Sequence, residues 1–111
     1  MASNIVRFDA VRSLAFGSIT SSFIPLGIPL GHAMRVLHFI NNTDGDMMIS
    51  FDGTTSNAPV LAESFSLYDL TSDQDSNEMF RYQSGTQIYI EYISAPTKGT
   101  FYLVAIYGKG E

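Results

Sequence analysis

Runs of β-forming residues alternate with turn-forming residues along almost the whole chain. Val, Ile, Thr, Tyr and Phe supply 37 of the 111 residues, and all five favour strands. Gly, Pro, Asn and Asp recur between the runs, at spacings typical of a sandwich or barrel. Only 4 Glu and 2 Lys are present to favour surface helices. The pattern predicts an all-β fold, an antiparallel two-sheet jelly-roll sandwich of about eight short strands.

One pair of central runs is interpreted as a hairpin. Residues 35–40 form a strand with Val36, His38 and Ile40 on one face. The following Asp-Gly pair at 44–45 supplies the positive-φ residue that a tight turn needs. Residues 47–51 then return as the partner strand.

The end of the chain is predicted as a second such pair, in which residues 87–93 and 100–107 are the strands. The last strand places one apolar set on each face: Phe101, Leu103, Ala105 and Tyr107 against Tyr102, Val104 and Ile106. Both faces therefore need to be shielded from water by other parts of the protein or by a partner. One face packs on the second sheet. With no long amphipathic helix in the sequence, the other is expected to meet the N-terminal segment or another protein chain.

The domain prediction divides the chain into an N-terminal arm, residues 1–12, and a jelly-roll domain, residues 13–111. As a strand, the arm would place Ile5 and Arg7 on one side and Val6 and Phe8 on the other, so it is suited to joining the edge of a partner's sheet. The alternative is that it forms the first strand of the protein's own sheet. The predicted partner-binding residues are Ile5, Val6, Arg7, Phe8, Arg12, Tyr102, Val104 and Ile106.

Charge is uneven along the chain. The formal net charge is −5; residues 1–35 carry three arginines against one aspartate, whereas residues 36–111 carry ten acids against three bases. An acidic body disfavours direct binding of nucleic acid. The basic start suits an acidic protein surface.

Catalytic and cofactor chemistry finds no support in the residues. The absence of cysteine excludes thiol nucleophiles and thiolate metal sites. His32 and His38 are too far apart along an extended chain to share a metal. The acids Asp44, Asp46 and Asp52 lack the spacing of a calcium loop. We therefore expect no enzyme, no cofactor and no metal.

Neither a membrane segment nor a targeting segment is apparent. The most apolar run, residues 14–30, is interrupted by hydroxyl residues and by Pro25 and Pro29. Residues 1–4 lack the features of a signal peptide. We expect synthesis in a bacterial cytoplasm and no membrane partner.

Five stretches of sequence resemble the capsid decoration, or staple, proteins of tailed bacteriophages such as the short-tailed Salmonella phages. They are RSLAFGSI (12–19), INNTDGDMMISFDG (40–53), FSLYDLTS (65–72), GTQIYI (85–90) and GTFYLV (99–104). The resemblance extends over residues 12–107. It implies a jelly-roll homodimer on the outer surface of an icosahedral virion, bound to the major capsid protein across capsomer boundaries. No catalytic residues carry over from this family.

The function expected from sequence is therefore stabilisation, or stapling, of a phage capsid. An alternative is a carbohydrate- or receptor-binding jelly-roll module of a virion. Sugar sites present aromatic rings beside Asp or Asn, and Tyr68 with Asp69 is the candidate pair.

Overall fold

The chain is built from short strands. The computed structural model describes residues 6–69 and 85–108, and over these ranges it has no α-helix and one 3-10 turn, Phe16–Ser18. The strands of these ranges are β1 (Val6–Phe8), β2 (Arg12–Ala15), β3 (Ile24–Pro25), β4 (Val36–Thr43), β5 (Met47–Ser50), β6 (Ala58–Val60), β7 (Ser64–Asp69), β8 (Tyr89–Tyr92) and β9 (Gly99–Gly108). The polar segment 71–78 and the strand at 79–82 that the sequence suggests lie outside the described residues.

Two antiparallel sheets contain all of these strands. Sheet A has the order β1-β9-β4-β7, and β2 also pairs with β9, beyond the end of β1. Sheet B has the order β3-β8-β5-β6. The prediction of an all-β fold with two antiparallel sheets is confirmed.

The core lies between the sheets and follows the period-two alternation of the strands. On β4 the side chains of Leu37 and Phe39 are fully buried, and Val36, His38 and Ile40 lie on the opposite face as predicted. The largest fully buried side chains are Phe39, Phe101, Leu26, Leu30, Met34, Leu37, Met47, Ile49, Ile88, Ile90, Leu103 and Val60. Both sheets contribute to this set, so the core holds them together.

The two predicted hairpins are wrong in their pairing. β4 pairs with β7 and β9, whereas β5 pairs with β6 and β8, so the connection between β4 and β5 crosses from sheet A to sheet B. The connection between β8 and β9 crosses in the same way. Gly45 does not have a positive φ. It is required because a Cβ there would lie 2.3 Å from the carbonyl oxygen of Ser94, in the neighbouring connection.

A buried amide fixes the first of these crossings. The side-chain nitrogen of Asn41 donates to the carbonyl oxygens of Gly45 (2.9 Å), Val60 (2.9 Å) and Leu61 (3.1 Å). Its side-chain oxygen accepts from the backbone N–H and the hydroxyl of Thr43. Asn41 lies on sheet A and Val60 on sheet B, so one side chain joins the sheets where the chain crosses between them.

Replacing this amide should cost much of the stability of a small domain. We expect Asn41→Ala to lower the free energy of unfolding by about 2–4 kcal/mol, because the carbonyls of Gly45, Val60 and Leu61 each lose a donor and the buried N–H of Thr43 loses its acceptor. The exposed neighbour Asn42 provides the control, and Asn42→Ala should change stability by less than about 0.5 kcal/mol. Urea unfolding followed by circular dichroism measures both. Equal effects of the two variants would contradict the role given to Asn41.

Candidate interaction surface

The face of sheet A turned away from the core is apolar across four strands. We call it the outer face and define it by three cross-strand rows: Phe8–Ile106–Val36, Val104–His38–Leu67 and Tyr102–Ile40–Phe65. Directly opposed residues of antiparallel strands point to the same side of a sheet. The register therefore places all nine side chains on one surface.

Several of these side chains are well exposed. Phe8 is 68%, Phe65 65% and Leu67 53% exposed, and the other six members of the outer face are half-buried. Asp69 lies opposite Val36 and borders the first row; the nine residues of the face themselves include no Asp, Glu, Lys or Arg. Single exposed apolar residues are ordinary, but a contiguous group marks an interaction surface.

His38 lies at the centre of the outer face. Its ring meets that of Phe65 edge-on, with centroids 5.3 Å apart. Its Nε2 is enclosed, and within the described part of the chain it has no hydrogen-bond partner. The imidazole therefore adds an aromatic ring contact at the centre of the surface.

The structure brings together part of the predicted partner-binding set. Tyr102, Val104 and Ile106 of β9 share the outer face with Phe8 of β1, which lies opposite Ile106. Arg7 is exposed and lies opposite Tyr107, so it belongs to the other side of the sheet.

Of the other two apolar residues that the arm contributes to the predicted set, the structure describes the backbone of one. The backbone of Val6 pairs with Gly108, whereas Ile5 lies outside the described residues. In the isolated chain β1 thus joins the protein's own sheet, which is the alternative left open by the sequence. Its attachment to a partner stays a prediction.

Arg12 is directed into the protein rather than toward a partner. The residue is only 4% exposed. Its guanidinium donates to the carbonyl oxygens of Ile28 (2.8 Å), Pro29 (2.8 Å) and Ala10 (3.0 Å). It also donates to a carboxylate oxygen of Asp9 at 3.1 Å. A planar fork of donors is suited to several acceptors at once. Arg12 therefore anchors β2 to the loop at residues 28–29.

The same contacts affect the acid beside Arg12. Partial burial acts to raise the pKa of Asp9, but it is outweighed by hydrogen bonds from the Ala10 N–H and the Arg12 guanidinium and by the charge of Arg12. The pKa of Asp9 is held below its ordinary value, so the ion pair persists at neutral pH.

A lysine cannot reproduce the Arg12 contacts, since its ammonium has no planar fork. We expect Arg12→Lys to lower the free energy of unfolding by about 1–3 kcal/mol, because partly buried carbonyls lose their donors. Arg7→Lys, the same change at an exposed position five residues earlier, should have an effect of less than about 0.5 kcal/mol. Urea unfolding midpoints compare them, and a harmless Arg12→Lys would show that the anchor is dispensable.

The acids considered for calcium are engaged in loop hydrogen bonds. Asp44 accepts from the hydroxyl and backbone N–H of Thr97, and these bonds lower the pKa of its carboxyl group. Asp52 accepts from the backbone N–H groups of Thr55 and Thr54, which likewise lower its pKa. Residues 6–69 and 85–108 contain no group of three His, Asp or Glu placed to hold a metal. The same ranges contain no helix long and apolar enough to cross a membrane.

Phe65 and Leu67 are surface residues that the sequence did not predict. On β7 the large apolar side chains at 65 and 67 are exposed, whereas Ser64, Ser66 and Tyr68 are half-buried. An alternating pattern ordinarily assigns the apolar set to the core. No local feature of the sequence indicates that the assignment is reversed here.

Three comparisons with known proteins identify no relative. Neither a protein family nor a curated protein nor a solved structure matches the chain. The resemblance to phage decoration proteins therefore stays an expectation from the sequence. The structural feature that bears on function is the outer face.

Proposed function

We propose that the chain is a jelly-roll decoration protein of a bacteriophage virion. In this proposal it lies on the outer surface of the icosahedral shell and binds the major capsid protein across capsomer boundaries, as a homodimer. It thereby staples the shell and catalyses no reaction. The outer face of sheet A is the surface through which it binds.

The nesting of strand pairs supports the jelly-roll assignment. β5 pairs with β6, β4 with β7, β3 with β8, and β1 and β2 with β9. A long hairpin rolled up on itself produces such a nested series, distributed over two sheets as two Greek keys. β1 and β2 act together as its first strand.

The uncharged outer face is the observation that carries the functional proposal. Strand spacings make it roughly 14 by 14 Å between its outermost backbone positions, an area well below the standard interface of about 800 Å² per partner. One copy therefore makes a weak contact by this face alone. Weak contacts suit a protein present in many copies, because two linked sites bind far more tightly than either one.

The carbohydrate-binding alternative receives no comparable support. Tyr68, its candidate platform, packs edge-on against the core residue Phe39, with ring centroids 5.9 Å apart. A ring held in this way is not free to stack on a sugar.

A charge placed on the outer face should weaken attachment. We expect Phe8→Lys to reduce binding to capsid shells lacking this protein by about tenfold or more, because an apolar contact is lost and a charge is desolvated. Ile28→Lys is the matched control, since Ile28 is 67% exposed against 68% for Phe8 and lies off the face. Co-sedimentation with shells measures both variants.

The comparison between these two variants decides the proposal. Both carry the same new charge, so a general electrostatic effect changes them equally. If Phe8→Lys binds shells as well as Ile28→Lys does, the outer face is not the attachment surface.

A further inference from the structure

The edges of the two sheets are protected to different degrees. In sheet B the edge strands are short and each contains a proline, Pro25 in β3 and Pro59 in β6. In sheet A one edge is divided between the short strands β1 and β2. Short strands and prolines are the devices by which proteins prevent edge-to-edge pairing.

Among the strands of residues 6–69 and 85–108, β7 forms the other edge of sheet A, and within its own span it has none of these devices. It is six residues long, Ser64–Asp69, and it contains no proline and no basic residue. Among the described strands it pairs with β4 alone. Its exposed side chains, Phe65 and Leu67, would gain apolar contacts from a further strand.

We propose that β7 pairs with β7 of a second copy, antiparallel and with Ser66 on the two-fold axis. This deepens the proposed function by naming the surface that forms its homodimer. The two-fold axis stands perpendicular to sheet A, so the interface is isologous. The two copies of sheet A become one continuous sheet.

The residue that lies on the two-fold axis determines which side chains of the second copy lie opposite the exposed Phe65 and Leu67. Centred on Ser66, the pairing sets Phe65 opposite Leu67 of the second copy on both sides of the axis. Centred on Leu67, it sets Phe65 opposite Asp69; centred on Phe65, it carries Leu67 beyond the start of β7 at Ser64, where the positive φ of Glu63 ends the extended backbone. Cross-strand pairs are most favourable between apolar residues. Only the Ser66 register matches apolar with apolar throughout.

The joined sheet changes the size of the binding surface. A two-fold axis perpendicular to the sheet keeps both outer faces on one side, adjacent along the Phe65–Leu67 boundary. The combined apolar surface is about twice that of one copy, so a single dimer makes a larger contact with a partner than a single chain does. Two linked faces also provide the two-site attachment that a staple across a joint requires.

Acidic residues limit the strength of this pairing in dilute solution. The Ser66 register places Glu63 near Asp69 of the second copy at both ends, and each copy carries a net charge of −5. Like charges on opposed strands are destabilising and are screened by salt. Association should therefore strengthen between low and moderate salt.

Cysteine cross-linking tests the pairing on the full chain, which contains no native cysteine. In Ser66→Cys the two cysteines lie directly opposite, at about 4.5–5.5 Å between Cα atoms, within disulfide range. In the matched control Ser64→Cys they lie about 14 Å apart along the strands, beyond that range. Both serines are half-buried on the same strand.

Under oxidised glutathione, Ser66→Cys should form the disulfide dimer about tenfold or more faster than Ser64→Cys, because pairing raises the effective concentration of its thiols. A mixture of Phe65→Cys and Leu67→Cys proteins should give mainly the mixed dimer. Equal rates for the two serine variants, with no preference in the mixture, would overturn the inference.

These outcomes are independent of the capsid test. Cross-linking is measured on the protein without shells, after circular dichroism has shown each variant to be folded. Loss of the cross-linking preference with intact shell binding refutes the β7 pairing alone. A retained preference with shell binding that is insensitive to Phe8→Lys refutes only the attachment surface.

Discussion

The architecture depends on two connections between the sheets that contact each other at one end of the sandwich. The β4–β5 connection and the β8–β9 connection each pass from one sheet to the other, and Asp44 of the first binds Thr97 of the second. The space between them is filled by backbone. A Cβ at Gly99, which has φ +97°, would lie 2.0 Å from the carbonyl oxygen of Asn42. This close approach sets β9 beside β4 and starts their register.

The outer face follows from that register. Eight consecutive pairs, from Val36 with Ile106 to Thr43 with Gly99, align β4 with β9 in the middle of sheet A. β9 is apolar on both sides, so one side builds the core while the other supplies the central column of the outer face. β7 and β1 add their exposed phenylalanines on either side. Stability and the proposed binding thus use opposite faces of the same two strands.

Sequence patterns predicted the parts of this arrangement that are local. Alternation identified the two faces of β4 and β9, because neighbouring positions of a strand point to opposite sides. The assignment of strands to sheets failed, since a tight connection can join a hairpin or cross between sheets, and the contacts of Asn41 with Val60 and Leu61 that bridge the sheets are distant in sequence. The contacts of Arg12 were not predicted for the same reason, as its acceptors at residues 28 and 29 are distant in sequence. The reversed alternation of β7 has no local cause at all.

Hydroxyl-radical footprinting of the protein, free and bound to capsid shells, is the decisive experiment for the binding surface, because it reports side-chain exposure over the whole surface at once. We expect Phe8, Phe65, Leu67 and Tyr102 to lose reactivity on binding. Exposed apolar residues away from the outer face, such as Ile28, Leu61 and Ile93, should keep theirs. Protection of this second group, with an unchanged outer face, would contradict the claim that the chain binds through sheet A.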